Sequence, residues 1–122
     1  MPPQVSLPDE GDLVWMDFTP HAGHEQAGRR PALVLTPKRY HERCNYAFVC
    51  PITSNLKPYA YKVALPANLP ATGVVLVDQA KSVDRIARNL VVIGSVPDEF
   101  LDDIRSRLVS LSMPGILTKP SA

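Results

Sequence analysis

The sequence predicts a mainly-β domain, a small and strongly bent barrel with a single helix closing on it. Three observations carry that prediction. Thirteen prolines punctuate the 122 residues without clustering. Between them lie roughly six short apolar runs rich in strand-forming residues, bounded by turn chemistry. Only one stretch, towards the C-terminus, keeps a helical period long enough for a substantial helix. Short strands, Pro-rich turns and one closing helix together suggest such a barrel with the helix packed against it.

Residues 13–18 alternate and are rich in β-formers, so they read as the first strand. Residues 31–36 form a compact apolar run closed by Pro37, and 46–52 form another that ends on Thr53, Ser54 and Asn55. Tyr61, Val63 and Leu65 alternate with Lys62 and Ala64 until Pro66 stops the strand. Residues 73–77 are expected to be a central strand whose direction continues through 78–83. Residues 90–96 are the last strand. In 97–111, Phe100, Leu101, Ile104, Leu108 and Leu111 share one helical face. Pro97 suits the first helical position, where its missing N–H costs nothing. Asp98, Glu99, Asp102 and Asp103 precede Arg105 and Arg107, the order that the helix dipole favours. A short helix over 38–43 has weaker support.

The length is that of one domain, expected over residues 9–113, with flexible flanks at 1–8 and 114–122. No apolar run approaches the roughly 20 residues of a membrane-spanning helix. The N-terminus lacks the basic and apolar regions of a secretory signal, so a cytoplasmic location is expected. Cys44 and Cys50 are too few for a disulfide framework, and Cys50, inside a strand run, is expected to be a small buried hydrophobe. His21, His24 and His41 are not in zinc-binding spacing, and no metal or other cofactor is expected.

Charge is segregated although the net charge is only +1. Five acids and no Lys or Arg occupy 9–25, whereas seven Lys/Arg face only Glu42 over 29–62. Lys81, Arg85 and Arg88 follow, opposed by Asp84. Two outcomes stand: a basic face for phosphates, or a mixed solvated surface once folded.

Residues 11–18 (GDLVWMDF) and 25–35 (EQAGRRPALVL) stand in the order and spacing that open the MazF/PemK toxins. The likeness continues through 49–54 (VCPITS) and 78–84 (DQAKSVD), so the chain resembles that family over about residues 9–112. The resemblance implies an SH3-like barrel, a homodimer, and cleavage of single-stranded RNA in a groove shared with the second subunit. It also implies neutralisation by a MazE-type antitoxin whose disordered tail occupies the groove. DNA would be met only through that antitoxin.

By the same resemblance Arg30 and Thr53 are the catalytic pair and Glu25 the carboxylate at the site. PemK-like members rely more on the acid that is Asp78 here. His24, at a position where the family has no fixed histidine, and Ser54 are additional candidates. Arg29, Lys57, Tyr59, Lys81 and Arg85 are candidates for contacting RNA.

The chemistry suits these side chains. Metal-free RNA cleavage uses the 2′-hydroxyl as nucleophile, leaving a 2′,3′-cyclic phosphate and a free 5′-hydroxyl. A guanidinium holds two phosphate oxygens in a fixed fork. A threonine hydroxyl can donate to a third, and a carboxylate or imidazole can move the protons. Each residue also has a plainer reading. Arg30 could pair with Glu25 across a turn, Thr53 to Asn55 could be strand-end turn chemistry, and Asp78 could be a turn acceptor. Trp15 and Tyr61 read as core or dimer-contact residues rather than platforms for bases. Specificity is expected in the loops around 19–28 and 53–60. The alternatives are a CcdB-type toxin that binds DNA gyrase without catalysis, or an inactive MazF homologue.

Overall fold

The computed structural model describes residues 6–18, 28–54 and 57–113. Its strands are β1 (Asp12–Asp17), β2 (Arg29–Val34), β3 (Tyr46–Thr53), β4 (Lys62–Ala64), β5 (Val74–Leu76), β6 (Lys81–Asp84) and β7 (Val91–Ser95). Two helices, α1 (Lys38–His41) and α2 (Asp98–Ser112), complete the described chain. All strand pairs are antiparallel, in the order β4-β5-β3-β2-β1-β7, with β6 also pairing β3. Among the described residues β4 and β7 stay at opposite ends of this ladder, so the sheet wraps like a barrel without closing into a hydrogen-bonded ring.

Alternation along the pleat sends neighbouring side chains to opposite faces, and here both faces are buried. On one face Leu13, Leu33, Cys50, Ile52 and Val75 pack against Leu101 and Ile104 of α2. On the other, Val14, Met16, Ala32, Val34, Ala47 and Val49 gather with Val83 and Leu90. The apolar runs around 31–36 and 46–52 are continuous because both of their faces are covered. Burial also pushes the Cys50 thiol up to about 12, so it is an inert core group.

The run 73–83 departs from a single continuous strand. β5 pairs with β3 through Ile52↔Val75, and β6 pairs with it through Val49↔Lys81. Between the two the register slips by three residues, taken up by a 3-10 turn at Val77–Gln79. The direction continues, but Asp78 and Gln79 are extruded to the exposed surface. Pro97 also differs from expectation. Its ψ of 151° makes it the N-cap, with α2 starting at Asp98 and its carbonyl accepting from the Phe100 and Leu101 amides. Leu101 and Ile104 are buried, but Leu111 lies beyond the sheet and is exposed.

Pro8 is buried, and a buried histidine reaches it. His41 is only 1% exposed, and its Nδ1 lies 2.7 Å from the Pro8 carbonyl oxygen. A carbonyl can only accept, so Nδ1 carries the proton there. Nε2 lies 2.7 Å from the Thr36 hydroxyl, which itself accepts from the Phe48 amide. One imidazole thus ties the N-terminal segment, α1 and the end of β2 together. His41→Leu leaves the Pro8 carbonyl and the Thr36 hydroxyl buried without that partner. We expect chemical denaturation to show a loss of roughly 2–4 kcal/mol, since each stranded group costs about 1–3 kcal/mol. A loss below about 0.5 kcal/mol would show that the ring is only a space-filler.

Candidate active site

The register of the central strands brings Arg30 and Thr53 together. β2 and β3 pair through Leu33↔Cys50 and Ala32↔Pro51, and the same register carried two residues further sets Arg30 opposite Thr53. Directly opposed residues in an antiparallel pair share a face. Each is also held from its other side, Arg30 by Met16 of β1 and Thr53 by Val74 of β5. The pair therefore sits within four paired strands, β1, β2, β3 and β5, rather than on a loop.

Both residues line a cleft of about 480 Å³ at this end of the sheet. Ser54 and Thr72 add polar groups, while Trp15, Pro31 and Ile52 form an apolar flank. Pro70 and Ala71, in the connection between β4 and β5, add a further wall. Gly73 ends that connection with φ of +132°, a backbone conformation suited to glycine. A Cβ on Gly73 would fall 2.5 Å from the Thr53 carbonyl oxygen, so only glycine allows the wall to come this close to β3.

Much of the segregated charge is spent on the fold. Arg29 donates to Asp17 at 2.9 Å and to the Asn89 carbonyl oxygen at 2.8 Å. The Asn89 amide and Arg29 together hold the Asp17 carboxyl below the usual carboxylate range. Arg85 donates to the carbonyl oxygens of His41 and Cys44, and Arg88 to those of Asp17 and Phe18. Lys62 sits 3.1 Å from both oxygens of Asp78, and that contact raises its pKa. Lys81 lies over the Phe18 ring at 4.9 Å, and burial lowers its pKa. Arg30, like Lys38, Arg39, Arg43 and Lys57, is exposed and makes no ion pair among the described residues, and of these it is the one that lines this cleft. A cation left unneutralised beside a cleft is available to an anionic ligand.

Residues 9–111 match the family described as PemK-like, MazF-like toxin of type II toxin-antitoxin system. The chain belongs to that family. It is 40% identical over 102 residues to the Endoribonuclease toxin MazF of Escherichia coli K12, covering 84% of this chain and 91% of that protein. A crystal structure of MazF from Deinococcus radiodurans is similar with a TM-score of 0.78 and 46% identity, over 88% of this chain and 97% of that one. A MazE-MazF crystal structure from the same organism gives a TM-score of 0.80 at 43% identity, with the same coverage.

Of the residues expected in a MazF-type site, Arg30, Thr53 and Ser54 come together in the cleft. Glu25 and His24 lie outside the described residues. Asp78, extruded with the 3-10 turn and paired to Lys62, is not among the cleft's lining residues. Neither are Arg29, Lys57, Tyr59, Lys81 and Arg85. Lys57 and Tyr59 occupy the exposed segment leading into β4, where Tyr59 and Lys62 exchange backbone hydrogen bonds of 2.8 and 2.9 Å. Tyr61 packs against the core and meets Ser110 through its hydroxyl at 3.1 Å. Trp15 departs from the core role: it is 37% exposed and lines the cleft. The wall at 70–72 also lies outside the two loops expected to shape the site. Its only sequence signal is the pair of prolines, Pro66 and Pro70, ahead of Gly73. Among the described residues no three His, Cys, Asp or Glu side chains gather as a metal site, and no helix is long and apolar enough to cross a membrane.

Proposed function

We propose that this MazF-like endoribonuclease cuts single-stranded RNA at short specific sequences, without a metal, by attack of the 2′-hydroxyl on the adjacent phosphorus. The observation that carries this reading is that Arg30 and Thr53, on the adjoining strands β2 and β3, both line one cleft. The 2′-hydroxyl loses its proton as its oxygen bonds to phosphorus. The bond from phosphorus to the 5′-oxygen breaks, and that oxygen takes up a proton. The products are a 2′,3′-cyclic phosphate and a 5′-hydroxyl, with no water consumed in the step.

Arg30 holds the non-bridging oxygens as negative charge builds on them, the role in which a fixed cation contributes most. Its pKa is too high for it to serve as a proton donor. Thr53 donates its hydroxyl to the same phosphate and fixes its orientation. Glu25 is the group we assign as the base that removes the 2′-hydroxyl proton, with His24 modulating rather than driving the reaction. Glu25 is preferred to Asp78, which Lys62 already engages away from the cleft.

A MazE-type antitoxin is the proposed partner, supported by the crystallisation of the Deinococcus radiodurans relative as MazE-MazF. We further propose a homodimer acting in the cytoplasm, as in the reading from sequence. Family membership and the Arg30–Thr53 cleft favour the ribonuclease over a gyrase-binding or inactive protein.

The test is to incubate the purified chain with a long unstructured RNA in EDTA. Discrete fragments are expected, with 5′-ends that polynucleotide kinase labels without prior phosphatase treatment. Fragments with 5′-phosphates, or cutting that appears only when a divalent ion is added, would overturn the mechanism. Intact RNA together with inhibited DNA gyrase would favour the CcdB-type alternative.

A further inference from the structure

We infer that the apolar half of the Arg30–Thr53 cleft is a nucleobase slot, with Trp15 as the stacking face and the Pro70–Thr72 wall as the opposing side. This deepens the ribonuclease reading and rests on it. Four observations support it.

First, Trp15 is 37% exposed, although the neighbouring Leu13, Val14 and Met16 are fully buried. Its cross-strand partners are Pro31 on β2 and Val91 on β7, so it stands on a flat strand surface rather than inside a core. Second, the cleft is two-sided. Its apolar part adjoins Arg30, so a base and its attached phosphate can be held at once. Aromatic and proline surfaces accept the π-face of a base, and cationic groups accept its phosphate. Third, the size is suitable: about 480 Å³ falls within the roughly 300–1,000 Å³ of small-ligand pockets.

Fourth, the wall is preorganised. Ala71 is buried, Leu69 packs against the core, and the Leu65 amide donates to the Gly73 carbonyl oxygen at 2.9 Å. Pro70 rests on the bare backbone of Gly94 in β7, where a Cβ would meet the proline Cγ at 2.5 Å. The slot therefore has its width before RNA arrives, so little ordering entropy is lost on binding. Thr72 is exposed on this wall and supplies a hydroxyl that can distinguish the edges of different bases. A single base slot beside the reacting phosphate would select the nucleotide that flanks the cut.

Trp15 is the one tryptophan of the chain, so its fluorescence reports the slot directly. The experiment uses short RNAs containing one mapped cleavage site, with each flanking nucleotide in turn replaced by an abasic residue that keeps the backbone. An uncleavable version carries 2′-deoxyribose at the cut position. The intact uncleavable RNA is expected to change Trp15 emission, and one particular abasic version is expected to lose that change. On cleavable RNA, Trp15→Ala should raise KM by about tenfold or more, the size of one lost base stack. The abasic substitution at the slot position should raise the wild-type KM by a similar factor, with no further loss in Trp15→Ala. Trp15→Phe should recover most of the loss.

An emission change that survives every abasic substitution would overturn the slot, as would KM losses that simply add at every position. An unchanged KM in a folded Trp15→Ala protein that elutes as a smaller species would instead assign Trp15 to self-association. Arg30→Ala separates the two levels of inference. If it still cuts, the ribonuclease site is misplaced; if it is inactive while Trp15→Ala behaves as wild type, only the slot fails.

Discussion

Arg30→Ala is expected to lower kcat by about 10²–10³ while leaving the protein as stable as the parent. The magnitude is that of removing one preorganised charge-stabilising group from a reacting oxyanion. The unchanged stability follows from the environment of the side chain, which is exposed and makes no ion pair among the described residues. Surface substitutions of that kind stay within about 0.5 kcal/mol. Arg30→Lys keeps the charge but loses the planar fork that grips two oxygens, so it should recover only part of the rate. Single-turnover cleavage of one oligonucleotide, alongside chemical denaturation of each variant, measures both halves. A rate loss below tenfold, or one accompanied by unfolding, would remove Arg30 from the phosphate.

Gly73→Ala is expected to damage both the fold and the chemistry. At φ of +132° an alanine is strained whatever the space around it, and its Cβ would sit 2.5 Å from the Thr53 carbonyl oxygen. Strained backbone of this type costs about 1–3 kcal/mol. The neighbour it meets is backbone held between β2 and β5, not the end of a pliable side chain, so we expect roughly 2–4 kcal/mol in all. Any relief must shift Thr53. Displacing a catalytic group by about 1 Å can cost on the order of 10² in rate, so folded Gly73→Ala protein should also cut more slowly. Its KM should change less than its kcat, because Arg30 stays on the far side of Thr53. Full activity in a folded variant would show that Thr53 tolerates displacement.

The first three strands and the closing helix were legible in the sequence because their patterns are local. Leu13 to Met16, the continuous run through Val34 and the spacing of Leu101 with Ile104 each follow from a pleat or a helical turn. The slip at Val77–Gln79 was not legible, since it depends on how two short segments divide the length of β3. Nor could the partners of the basic residues be read. Arg29 finds Asp17 across a hairpin and Arg85 finds carbonyl oxygens more than forty positions away, distances over which composition carries no signal. The Arg30–Thr53 pair was legible only as a motif; the strand register gives it a physical cause. The exposure of Trp15 was not legible, because alternation puts it on the same face as the buried Leu13.

The central position of β3 has a further consequence for when the chain becomes active as it is synthesised. Thr53 is made early, but its far-side neighbour Val74 comes twenty-one residues later, and the Gly73 approach that confines it comes with Val74. The other half of β3 waits for Lys81 to Asp84. Contacts so distant along the chain form late, after the cost of closing long loops has been met. A ribosome-bound fragment ending before β5 thus carries the strands that hold Arg30 and Thr53, but not the β5 support and the Gly73 approach that confine Thr53. The cleft is therefore completed only by residues from the second half of the chain, which close on Thr53 after its own strand has been made.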